Sequence, residues 1–68
     1  MPGMRKATQL RAGMVILDPA DGASPVTILR FGIPVPNSTL RPMEVRRFDG
    51  GGHWRQLDLD TEVEVLEP

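Results

Sequence analysis

Residues 43 to 59 read MEVRRFDGGGHWRQLDL: two runs in which apolar and polar side chains alternate, on either side of three consecutive glycines. Alternation with period two marks a half-buried strand, and two such runs around turn residues mark a β-hairpin. Placing Gly50, Gly51 and Gly52 at the tip makes opposed residue numbers sum to 102. Phe48 then faces Trp54, Arg47 faces Arg55, Arg46 faces Gln56, and Val45 faces Leu57. Met43, Val45, Leu57 and Leu59 fall on one face, ending in the Arg47/Arg55 pair. Glu44, Arg46, Phe48, Trp54, Gln56 and Asp58 fall on the other. Each row sorts to one face, which fixes the register on this reading. The glycines supply the positive φ of a tight loop. A phosphate-cradling role for them fails, because no helix follows whose amino terminus could receive an anion.

Outward from this hairpin the chain is short apolar, β-branched stretches separated by Gly, Pro, Asp and Asn. Strands are expected over 14–18, 26–31, 40–48, 53–59 and 63–66. Pro19 to Pro25 is turn chemistry, with a tight turn at Asp21-Gly22. Pro34 and Pro36 make 32–39 a long extended loop. Asp60 to Glu62 forms a short turn, with Asp60 as its cap. Residues 1–8 contain Pro2 and Gly3, lack periodicity, and are expected to be a flexible tail. No window supports a ten-residue helix, since breakers arrive too often.

All-β architecture in 68 residues means one small domain, over residues 9–68, that buries only about 60% of its unfolded surface. The pattern QLRAGMVILDPADG (residues 9–22), a hairpin, then LDLDTEVEVL (residues 57–66) resembles the small SH3-like β-barrel modules of actinobacterial and phage proteins. Arg-for-Lys preference and abundant Gly, Pro, Ala and Val are similar to proteins of high-GC genomes. The resemblance implies a five-stranded barrel and transfers no active site. An OB-fold is the competing architecture, weakened by the absence of its usual helix.

Composition excludes several functions. There is no Cys and a single His, so neither a disulfide framework nor a thiolate zinc site can be built. No nucleophile with a base and an orienting group can be assembled, and no metal or cofactor is expected. A core this small is also expected to lack a substrate pocket of about 300 Å³. The longest apolar run, Met14 to Leu17, is far too short for a membrane span, and no signal-peptide core precedes it. A soluble cytoplasmic protein is therefore expected.

Net charge is −1, but its distribution is uneven. Residues 1–17 hold Arg5, Lys6 and Arg11 without an acid, and 56–68 hold five acids without a base. Two readings stand for Phe48 and Trp54. They are a cross-strand pair that stabilises the hairpin, covered by the proline loop, or an exposed platform flanked by Arg46 and Gln56. Two stand for Arg47 and Arg55. They are neutralised by Asp49 or the acidic end, or they hold an anion. His53 is expected to flank the turn and pair with Asp49.

The leading functional expectation is a non-enzymatic protein-interaction module, an accessory protein docking a host or partner protein through Phe48, Trp54, Arg46, Gln56, Arg47 and Arg55. Nucleic-acid binding is the first alternative, with Arg41, Arg46, Arg47 and Arg55 on phosphates and Trp54 stacked on a base. A barrel that forms homodimers through Phe48 and Trp54 is the second.

Overall fold

A computed structural model describes residues 3–19, 22 and 24–68. Six strands alternate along the chain: β1 (Gly3–Lys6), β2 (Val15–Asp18), β3 (Ser24–Phe31), β4 (Leu40–Arg47), β5 (Gly52–Asp58) and β6 (Glu62–Glu67). A 3₁₀ turn, Ala7–Gln9, links β1 to the segment that enters β2. The strands form one antiparallel sheet in the order β1-β6-β2-β3-β4-β5. β1 and β5 end the sheet without pairing to each other, so it is not closed.

The all-β expectation holds, with two departures. The segment read as a tail contains β1, whose residues Gly3 to Lys6 pair with Val65 to Glu62 of β6. The turn before β6 is capped by Asp58 rather than Asp60. Thr61 N donates to Asp58 O at 2.9 Å, and Asp60 N donates to Asp58 Oδ1 at 3.0 Å. The Asp21-Gly22 turn and the first two tail residues cannot be compared, because Met1, Pro2 and Asp21 lie outside the described residues.

One face of a sheet this small must cover itself. Ala7, Leu10, Met14, Ile16, Val26, Ile28, Met43, Val45, Leu57, Val63 and Val65 form a single buried cluster. Ile16, Val26, Ile28, Met43 and Val45 come from consecutive neighbouring strands, alternating with outward residues as period-two packing requires. The smallest dimension of the molecule is 20 Å, about twice the 10 Å that separates two stacked sheets. The sheet is therefore curled around its own apolar face. A bulge assists the curl: Ile28 pairs with Val45 and Arg30 with Glu44, leaving Leu29 unopposed in β3, and bulges sharpen local twist and bend.

Pro42 lies inside β4, opposite Gln56. Its missing N–H falls on the β3 side, where β3 has just ended and Gly32 N still donates to Pro42 O at 3.0 Å. The strand loses one rung at its margin, the placement a proline tolerates.

Candidate functional site

The β4–β5 hairpin turns two residues earlier than the triple glycine suggests. Observed pairs sum to 98: Arg46 with Gly52, Val45 with His53, Glu44 with Trp54, Met43 with Arg55 and Arg41 with Leu57. Phe48, Asp49 and Gly50 form the loop. Gly50 N donates to Arg47 O at 2.9 Å and Arg47 N to Gly51 O at 2.8 Å. Gly50 carries φ +97°, the left-handed residue a three-residue hairpin requires. Asp49 Oδ1 accepts from Gly51 N at 3.2 Å, which closes the turn from the side.

This register sets the outer face. Trp54 remains on it, half exposed at 51%, opposite Glu44 instead of Phe48. Its indole lies over Gly32, where an added Cβ would sit 3.0 Å from indole Cζ3 and 3.3 Å from Pro42 Cγ. Only a glycine lets the ring approach the backbone this closely. Arg30 stands beside it, its guanidinium carbon 5.7 Å from the ring centroid and its Nε donating to Glu44 Oε1 at 2.8 Å. The indole thus has a floor of Gly32 and Pro42 and a flank made by the Arg30–Glu44 pair. The proline loop does not bury the indole, which stays half exposed, and Ile33 and Val35 in that loop are themselves exposed.

The backbone beneath Trp54 is equally open. Arg47–Gly51 and Thr39–Leu59 are hydrogen-bonded partners across the hairpin, and in an antiparallel ladder such rungs fall on alternate pairs. His53, Arg55 and Leu57 therefore direct their N–H and C=O groups at β4. Gly52, Trp54 and Gln56 direct theirs away from the sheet. Among the described residues none of these six groups has a backbone partner, and β5 has no strand on that side.

The remaining expected residues scatter. Phe48 sits in the hairpin loop, 91% exposed, and does not pair with Trp54. Arg46 and Gln56 share the outer face with Trp54. Arg47 and Arg55 point inward and are not opposed: Arg47 pairs with Val26 across β3, and Arg55 with Met43. Arg55 Nε donates to Asp18 Oδ2 at 2.7 Å, so its neutralising carboxylate is Asp18 and not Asp49 or the acidic end of the chain. His53 likewise turns to Asp18, its Nε2 3.9 Å from Oδ2, while Asp49 serves the turn. Arg41 also points inward. Its guanidinium lies 3.7 Å from the Phe31 ring centroid and Nη1 donates to Ala7 O and Leu10 O at 2.6 and 3.2 Å. Burial lowers the Arg41 pKa from its ordinary value by desolvating the charged form. Arg41, Arg47 and Arg55 thus occupy one side of the sheet, and Arg46 and Trp54 the other. No single surface gathers the residues of the nucleic-acid reading.

Sequence reasoning missed Asp18, which is 2% exposed and receives Arg55 from a strand three places away. The signal was present: in Met14-Val-Ile-Leu-Asp18 the alternation that buries Met14 and Ile16 also buries Asp18. Among the described residues no group of three His, Cys, Asp or Glu side chains could hold a metal ion, and no helix is long and apolar enough to cross a membrane. No protein-family model matches the chain, and neither curated proteins nor solved structures match it.

Proposed function

We propose that the chain is a non-enzymatic protein-interaction module that docks an extended segment of a partner protein along the open edge of β5, beside Trp54. The observation that carries this reading is the coincidence of an unpaired edge with a half-exposed indole on one strand, over Gly52, Trp54 and Gln56. Strand addition draws affinity from main-chain hydrogen bonds and selectivity from side-chain sites beside them. Gly52, Trp54 and Gln56 offer the first, and the indole with Arg30, Arg46 and Gln56 offers the second. Phe48 lies in the loop at one end of the edge and extends the apolar contact there.

The SH3-like barrel is proposed as the parent architecture. In its favour, β2 to β5 follow one another across the sheet and β6 returns to pair with β2, as the last strand of a small barrel must. On this reading β1 is an added edge strand. Self-association through β5 is the competing use of the same edge.

The test begins with selection of random extended peptides on the protein, with counter-selection on Trp54→Ala. Recovered peptides are titrated by Trp54 fluorescence and by amide hydrogen exchange. Docking slows exchange at Gly52, Trp54 and Gln56, leaving His53 and Arg55 as they were. Peptides that bind Trp54→Ala equally well, or that protect other amides, refute the reading. A sedimentation coefficient that rises with protein concentration, with protection of the same three amides, assigns the edge to a second copy.

A further inference from the structure

At the end of β4 remote from the β4–β5 turn, a second feature stands apart from the edge proposed above. β1, the 3₁₀ turn, the 10–14 segment and the first residues of β4 enclose an open cleft of about 680 Å³, lined by Arg5, Thr8, Gln9, Leu10, Arg11, Met14, Arg41 and Pro68. It is an open cleft at the surface, not a cavity enclosed by the core. Leu10 and Met14, both buried, supply its apolar floor. Three arginines reach its walls beside Pro68 and its carboxylate, and among the described residues no Asp or Glu side chain lines it.

Arg41 is the fixed member. One of its terminal nitrogens is spent on the carbonyls of Ala7 and Leu10, and the Phe31 ring lies beneath the guanidinium plane. Those contacts set the orientation of the fork without neutralising its charge, and its other N–H groups make no hydrogen bond among the described residues. Arg5 and Arg11 likewise make no ion pair there, whereas the neighbouring Lys6 lies 4.0 Å from Asp60 and Arg30 and Arg55 each have a carboxylate. Gln9 accepts from Lys6 N through Oε1, which leaves its amide N–H groups available, and Thr8 is exposed. The lining is therefore rich in donors, and its three guanidinium charges outnumber the one carboxylate at Pro68. A planar, pre-oriented guanidinium with two exposed ones around it matches an oxyanion that carries more than one charge and accepts bidentate hydrogen bonds.

We infer that this cleft binds a phosphate group of a small molecule, with Arg41 as the fixed anchor and Arg5 and Arg11 closing on the anion from the rim. The protein is titrated with inorganic pyrophosphate, with a nucleoside diphosphate and with the unphosphorylated nucleoside, at low and constant ionic strength, following backbone and arginine Nε–H resonances. Shifts confined to Arg5, Thr8, Gln9, Arg11 and Arg41 with pyrophosphate are expected. The same shifts with the diphosphate identify a phosphate ester as an acceptable source, and their absence restricts the site to the free anion. The double variant Arg5→Ala, Arg11→Ala removes two exposed side chains that hold nothing together in the fold, and should weaken pyrophosphate binding about tenfold or more. Arg41→Lys keeps the charge but loses the fork, and weakens binding while melting close to the parent. Arg46→Ala, on the opposite face, leaves binding unchanged. Shifts of similar size at Arg46, equal binding by the double variant, or binding of the nucleoside alone would overturn the inference.

Discussion

Asp18 and Arg55 give the sharpest test of how the curl is held. Their strands are separated in the sheet by β3 and β4, a gap of about 14 Å if the sheet were flat, yet Nε and Oδ2 are 2.7 Å apart. The pair is therefore a measure of curvature. Asp18 is almost fully buried, while the Arg55 side chain keeps 28% of its exposure. Removing one member of a buried pair costs about 3–5 kcal/mol when the survivor is left with no partner at all, whereas Asp18 keeps His53, whose Nε2 lies 3.9 Å from Oδ2. The partial exposure of Arg55 places Arg55→Ala near the lower end, about 3 kcal/mol. A chain of this length holds roughly 3–10 kcal/mol in total, so the variant loses a third or more of its stability. The midpoint falls by about 12–24 °C at 4–8 °C per kcal/mol. A double-mutant cycle with Asp18→Ala, read by urea unfolding, isolates the interaction, and the coupling should reach about 1.5 kcal/mol or more. Additive losses, with a coupling under about 0.5 kcal/mol, would show that the pair accompanies the curl without helping to hold it.

Two further outcomes follow from backbone and packing. Gly50→Ala places a side chain at φ +97° in open space, so its cost is backbone strain alone, about 1–2 kcal/mol, whereas Gly51→Ala should be close to neutral; thermal melts compare them. Ile28→Ala, at a fully buried position, should cost about 3 kcal/mol, while Leu29→Ala at the bulge should change stability by less than about 0.5 kcal/mol, both by urea midpoint at unchanged slope.

Face assignments in the hairpin were legible from the sequence, but pairings were not, for a geometric reason. Moving the turn centre from Gly51 to Asp49 changes the pair sum from 102 to 98. An even change leaves every side chain on the face it had. Met43, Val45 and Leu57 are core under either sum, so the apolar pattern cannot choose between them. The turn chooses. Asp49-Gly50 is the stronger signal, since the aspartate accepts from Gly51 N and the glycine takes the left-handed position, while Gly52 starts β5. β1 left no mark because Gly3-Met-Arg-Lys6 has no periodicity; its order comes from pairing with β6, not from local propensity. The inward arginines were misread because charge suggests solvent. Arg41 and Arg55 place their stems against the core and their charged ends on Ala7 O, Leu10 O and Asp18, as long amphipathic side chains do.

The two sheet edges are built differently, and the contrast bears on function. β1 is four residues long and carries Arg5 and Lys6, the shortness and charge that protect an edge from unwanted pairing. β5 is seven residues long, presents an indole, and has no proline or lysine. A proline installed there separates fold from docking. At Gln56 the N–H points away from β4, so Gln56→Pro removes no ladder bond, and prolines are accepted on edge strands in that orientation. At Arg55 the N–H points into the ladder, and the pair with Asp18 would be lost as well. Gln56→Pro should therefore melt within about 1 kcal/mol of the parent while losing peptide binding or self-association at β5, and Arg55→Pro should unfold. If Gln56→Pro unfolds as readily as Arg55→Pro, the Gln56 N–H is already engaged within the fold, and β5 is not an edge on which a partner strand can dock.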